Sequence, residues 1–251
     1  MDLFSVLLKE HEIDIAVLTE VGSEMRTLIE DDDSLALVQD YVFPDSKVQI
    51  VTRRDQVKVE PRESKSNRYG AFVCKGPNFQ SFILVGVHLA SPCRTDIDSR
   101  RERAQEFAGW VDQLEESEKS DRTIVIGDFN LNPFDRGLFG RRSLNALPCQ
   151  REVKRNAESK KSRRPFYNPT WNLLGDQTPG PPGTHYYSSE GLRWNTYDQV
   201  LLRASLMSGL TQLKVLEQVA GRSLCTRAGL PNGEKLSDHL PLVFTLNMEE
   251  R

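Results

Sequence analysis

Apolar residues recur along this chain in two rhythms. Short unbroken apolar runs bounded by charged or turn residues predict buried strands at 13–18, 48–52, 71–74, 82–88, 124–126, 198–202 and 242–246. Leu3, Phe4, Val6, Leu7 and Leu8 follow Asp2 at helical spacing and predict a short opening helix. A second helix is expected over 23–30. Between 98 and 118, Ala104, Phe107, Ala108, Val111 and Leu114 mark one face of a longer helix. Its other face is densely charged, as suits a helix laid on a sheet. Strands and helices mixed at these lengths predict an α/β (α+β) domain with a layered sheet core.

Two stretches break the pattern. Residues 151–164 carry seven basic side chains (Arg151, Lys154, Arg155, Lys160, Lys161, Arg163 and Arg164) against two acidic ones. Residues 176–191 are rich in Gly, Pro and Ser and read as a loop. Both lie between the strands at 124–126 and 198–202. The expectation is therefore one domain over 1–251, with a basic, loop-rich excursion at about 140–192.

Composition narrows the function classes. The chain of 251 residues has 33 Lys plus Arg against 36 Asp plus Glu, a net charge of −3, so no global basic field advertises a DNA-coating protein. Cys74, Cys93, Cys149 and Cys225 are scattered with no CxxC pair, which argues against a structural zinc site and a disulfide framework. No apolar run approaches transmembrane length, and no basic-then-apolar signal opens the chain. A cytoplasmic protein without membrane association is expected, and no protein partner is inferable.

Several predicted strands end in chemistry. The run 13–18 leads into Thr19-Glu20, and 82–88 closes on His88. The run 123–126 drives into Gly127-Asp128-Phe129-Asn130. Asp198 opens another strand, and Ser237-Asp238-His239-Leu240-Pro241 precedes the last. Each has a plain alternative: a solvated strand-end acid for Glu20, an Asx-turn for Asp128 and Asn130, a hydrogen-bonded buried imidazole for His88. Acids and histidines repeatedly placed at strand boundaries put polar groups along one sheet edge, where a metal and a phosphate can be held.

At these positions the chain resembles the endonuclease/exonuclease/phosphatase superfamily, which includes deoxyribonuclease I. The matching pieces are LTEV at 18–21, GVHLASP at 86–92, IGDFNLNP at 126–133, YDQVLL at 197–202 and SDHLP at 237–241, in the family's order. The resemblance implies a four-layer α/β sandwich, two packed mixed β-sheets flanked by helices. It also implies Mg2+, with Mn2+ as the alternative, held by Glu20 with help from Asp238. Asp128 would orient or deprotonate the attacking water, and Asn130 would donate to phosphoryl oxygens. His239 would contact the scissile phosphate, oriented by Asp198. His88 matches an acid of deoxyribonuclease I, although Asn67 stands where that enzyme has an acid, and Arg68 is a candidate phosphate contact whose plain alternative is a surface arginine. The family's first strand, which carries an asparagine, has no counterpart before the opening helix, leaving a central sheet position unmatched.

A divalent-metal-dependent phosphoesterase is expected, with a nuclease first. The basic run followed by Phe166, Tyr167 and Trp171 mixes phosphate-binding charge with stackable rings, although such a run can equally be a solvated loop and the rings core packing. The alternatives are a phosphatase or phosphodiesterase on a small or lipid phosphate, and a non-catalytic binding protein of the same fold.

Overall fold

The computed structural model describes residues 3–38, 43, 45–53, 57–92, 95–158, 163–175, 180–188 and 191–248. Asp2, Cys93, Lys160, Lys161 and parts of the 176–191 loop lie outside them. In chain order the first elements are α1 (Leu3–Glu10), β1 (Ile15–Thr19), α2 (Ser23–Glu30), β2 (Leu35–Val38), β3 (Val48–Arg53), β4 (Lys58–Pro61), β5 (Tyr69–Gly76) and β6 (Phe79–His88). Then come α3 (Ile97–Glu118), β7 (Thr123–Asp128), α4 (Arg136–Phe139), β8 (Ala146–Leu147), α5 (Gln150–Asn156) and β9 (Phe166–Tyr167). A 3-10 turn (Pro169–Leu173), β10 (His185–Tyr186), β11 (Trp194–Asn195) and β12 (Asp198–Leu202) follow. The chain continues through β13 (Leu210–Val215), β14 (Gln218–Val219), β15 (Arg222–Ser223) and β16 (Leu242–Leu246).

Four layers result. A mixed seven-stranded sheet runs β4-β5-β6-β7-β12-β9-β8, with parallel pairs at β6/β7 and β8/β9. Against one face packs α3 through Ala104, Phe107, Trp110, Val111 and Leu114, onto Ile83, Val85, Val87, Val125 and Leu201. The opposite face presents Phe72, Leu84, Ile124 and Val200 to Ile50, Val17, Leu213 and Phe244 of a second layer. Period-two alternation explains how one strand serves both interfaces: Ile83 and Val85 face the helix while Leu84 faces inward. The second layer comprises the antiparallel β1-β3-β2 sheet and the antiparallel β13-β16 pair. Outside it lie α1 and α2, burying Leu8 and Ile29 on Leu35 and Val51.

The edges of β1 and β16 that are not engaged by β3 and β13 line a common gap. Two cavities of about 290 and 310 Å3 occupy it, floored by Phe82, Leu84, Ile124 and Ile126 of the large sheet.

The excursion at 140–192 is more structured than its composition suggests. It supplies β8 and β9 to the large sheet, and Arg151, Lys154 and Arg155 ride on α5. Phe166 and Tyr167 are buried in the core. Arg163 pairs with Asp112 at 3.2 Å and Arg164 with Glu115 at 2.7 Å, both on α3. These two cations therefore serve packing, because neutralising acids on a neighbouring helix lie within reach only in the folded chain.

Candidate functional site

Topology gathers the chemistry at one sheet edge. In the parallel pair β6/β7 both strands end together, with His88 opposite Asp128. Antiparallel β12 begins where β7 ends, so Asp198 pairs in register with Asp128. Just beyond β1 stands Glu20, and just before β16 stand Asp238 and His239. All eight predicted site residues lie within or beside this edge.

Its backbone is unusual where the side chains matter. Glu20 and Asn130 have φ of 55° and 50°, left-handed values that non-glycine residues seldom adopt and that concentrate at functional sites. Gly127, at φ 138°, precedes Asp128. A Cβ there would lie 2.1 Å from the Val87 carbonyl oxygen, so only glycine lets β7 approach β6 this closely.

Asp128 is 4% exposed. Its Oδ1 accepts from the Asn130 backbone N–H at 2.7 Å, and its Oδ2 accepts from Asn130 Nδ2 at 2.7 Å. The Asn130 amide also donates to the Leu89 carbonyl at 3.1 Å. Both its hydrogens are thus engaged, and in this structure Asn130 holds the Asp128 carboxylate where the sequence predicts a donor to phosphoryl oxygens. Burial, and then the nearby Asp198 charge, push the Asp128 carboxyl up to about 7, against the pull of His239 and the Asn130 N–H.

His239 Nδ1 meets Asp198 Oδ2 at 2.7 Å. Burial opposes protonation of this imidazole, but Asp198 outweighs it, with smaller help from Asp128 and Asp238, and the group is raised to about 9. His239 is therefore an imidazolium at neutral pH. His88 behaves oppositely: burial lowers it more than the Glu20 charge raises it. Its Nε2 is 3.5 Å from Asp128 and 3.8 Å from Glu20, and its buried Nδ1 has no partner among the described residues. Asn67 instead donates to Asp45 at 2.8 Å, and among the described residues no acid accepts from His88 Nδ1. Arg68 stands next to this imidazole, its backbone carbonyl accepting from His88 N–H at 2.7 Å and its guanidinium reaching the Leu89 carbonyl at 3.5 Å.

The sequence did not reveal His185. It forms an isolated antiparallel bridge with His239, and the two rings are 4.5 Å apart. Its Nε2 lies 3.8 Å from Asp238 Oδ2, and Tyr197 stacks on it at 5.4 Å. Thr184, beside it, accepts from the backbone N–H of Tyr197 and Asp198, each at 3.1 Å, and so fixes the start of β12. The only local signal was Gly183-Thr184-His185 inside a loop-like segment, which by itself names no chemistry.

A hard divalent cation fits these donors. Glu20 offers a carboxylate that is 71% exposed and close to Asp128, and Asp238 offers another that is 74% exposed. Carboxylates with room left for water suit Mg2+. His185, Asp238 and His239 also bring ligand atoms within 4.8 Å of one another. A metal on His239 would have to displace the proton that Asp198 stabilises, so the oxygen donors are the better fit.

A four-layer sandwich gathers carboxylates and an Asp198-bound imidazole at one sheet edge. The chain belongs to the endonuclease/exonuclease/phosphatase family, whose model matches residues 1–239. No curated protein matches it in sequence. Zebrafish (D. rerio) TDP2, complexed with a single-strand DNA product, superposes with a TM-score of 0.60 at 16% identity, covering 97% of this chain and 90% of that one. The human nocturnin catalytic domain with bound sulfate gives 0.54 at 17% identity, covering 97% and 85%. The Neisseria 3' phosphatase NExo, bound to a product DNA hairpin, gives 0.55 at 14% identity, covering 97% and 93%. At these identities the likenesses show the fold.

Proposed function

We propose that this protein is a divalent-metal-dependent phosphodiesterase that cleaves nucleic acid by attack of water on phosphorus. The observation that carries the reading is a buried, proton-seeking Asp128 in register with Asp198 on the adjoining strand, while Asp198 holds the His239 cation at 2.7 Å. Groups with separated protonation preferences in one cleft are the mark of acid–base work. Asp128, fixed by Asn130, takes a proton as the water oxygen bonds to phosphorus. His239 balances the growing negative charge and gives a proton to the leaving oxygen as its bond to phosphorus breaks, leaving an alcohol and a phosphate monoester. Asp198 holds the imidazole in position. Arg68 contributes positive charge beside the cleft, and His88, kept neutral, contacts Glu20 and Asp128. Glu20 and Asp238 would hold the cation, which supplies charge neutralisation and Lewis acidity when bound.

Two structural neighbours that carry product DNA support nucleic acid as the substrate. One of them is described as a 3' phosphatase, which favours phosphomonoester hydrolysis at a nucleic-acid end as the second reading. The test is hydrolysis of plasmid DNA, single-stranded DNA and RNA with Mg2+ or Mn2+, alongside EDTA and Asp128→Ala controls. Cleavage that needs metal and Asp128 is the expected result. Release of inorganic phosphate without chain cleavage would select the second reading. Binding without any turnover by folded protein would instead support a non-catalytic module.

A further inference from the structure

Beside the site, three aromatic rings stand together at the surface. Trp171 lies 6.5 Å from Phe134 and 6.3 Å from Phe139, edge to face in both cases. Phe134 is 49% and Phe139 46% exposed, high values for phenylalanine rings. Arg136, Arg141 and Arg142 are exposed around them and form no ion pair among the described residues. This contrasts with Arg163 and Arg164, which α3 acids consume.

The strand directions put this cluster on the catalytic rim. Since β12 starts at the site and β9 is antiparallel to it, β9 runs toward the site and delivers the 3-10 turn bearing Trp171 there. A 2.8 Å bond from Asn168 to Gln199 ties that turn to the second residue of β12. Phe134 follows Asn130 by four residues, a reach of at most about 14 Å even for extended chain. Asn132, between them, is pinned to Asn195 and to the Thr196 N–H, both at 2.9 Å, so the approach is rigid.

We propose that Phe134, Phe139 and Trp171 form a stacking platform for unpaired nucleobases, with Arg136, Arg141 and Arg142 drawing in the flanking phosphates. This selects single-stranded or frayed nucleic acid as the substrate, and it rests on the phosphodiesterase reading for what happens next. A base offers its ring face only when unpaired, and exposed aromatics beside unpaired cations match a strand with alternating rings and anionic phosphates.

The test measures binding of fluorescein-labelled oligothymidylate and of a blunt duplex by anisotropy in EDTA, where no turnover occurs. Phe134→Ala and Trp171→Leu are each expected to weaken oligothymidylate binding by roughly 5- to 100-fold and to leave duplex binding within about twofold. Trp171→Phe should restore most of the loss. Hydrolysis of bis(p-nitrophenyl) phosphate, which is too small to reach the platform, should remain at wild-type rates. Unchanged oligothymidylate affinity in variants of unchanged Tm overturns the platform. So does equal loss on duplex, or wild-type protein that does not bind the oligonucleotide. Failure to hydrolyse the small diester with Trp171-dependent binding intact would sink the phosphodiesterase reading alone.

Discussion

Asp128 and His239 are both driven upward, by different forces: burial for the acid, and a carboxylate partner overcoming burial for the imidazole. The proposed roles need Asp128 ionised and His239 protonated, so kcat/KM should rise with pH through about 7 and fall through about 9. Asp198→Asn removes the main support for the His239 proton, and the falling limb should move toward acid by one unit or more, roughly. A falling limb unmoved in that variant would assign it to another group. Stability carries the same signs. The folded Asp128 keeps its proton to higher pH than its unfolded value of 3.8, so its burial becomes steadily more costly as pH rises from 3.8 to about 7. His239 contributes its full stabilisation below its unfolded value of 6.5 and loses it as pH rises through about 9. His88 and His185, both lowered by burial, shift stability the opposite way below pH 6.5, so the prediction is a difference: the Tm of Asp128→Asn minus that of the wild type should grow as pH rises from 3.8 to about 7. A constant difference would show that Asp128 contributes nothing to the pH dependence.

At the scale of elements, the two ends of β12 do different work. Asp198 begins it at the site, and just past its other end Arg203 is buried against α3. The Arg203 guanidinium bonds both Glu115 oxygens, at 2.8 and 3.0 Å, and covers the Phe166 ring at 3.6 Å. With both side chains almost fully buried, Glu115→Ala leaves Arg203 only the longer 3.5 Å ion pair with Asp112 and should cost about 3–5 kcal/mol in urea unfolding. A loss below about 1 kcal/mol would mean that water reaches Arg203 readily. On the neighbouring strand, Gly127→Ala forces a Cβ against the Val87 carbonyl and strains a positive φ. The expected result is a destabilisation of at least about 2 kcal/mol, with lower kcat because Asp128 follows directly. Unchanged kcat in this variant would show that Asp128 is positioned independently of the β6/β7 approach.

Across the whole molecule, the second layer is open where β1 and β16 face each other over the gap. Strand edges without a ladder partner leave amides open to water. Hydrogen exchange should find the outward-facing amides of β1 and β16 on the order of tenfold or more faster than those of β3, which is paired on both sides. Equal protection would mean that the gap closes in solution. The site borders this opening: Glu20 follows β1, and His239 and Leu242 line one of the cavities.

The linear chain determined seven of the sixteen described strands, the long helical face at 98–118 and the acids that border apolar runs, because side-chain period and apolar run length are local properties. From 198 to 202 and from 242 to 246 the predicted bounds coincide with the observed ones. Glu20, His88, Asp128, Asp198, Asp238 and His239 could be singled out because each stands near the boundary of an apolar run and within a motif of the family resemblance. Only the tertiary structure decided which of them touch. His239 and Asp198 are 41 residues apart in sequence, and their contact depends on strand order and register. Nor could the chain show that Asn130 turns back onto Asp128, that His185 joins His239, or that Arg163 and Arg164 are spent on α3 while Trp171 meets Phe134 and Phe139. A side chain's charge, exposure and partner are set by what the fold brings against it from far along the chain, and short-range pattern carries no record of that.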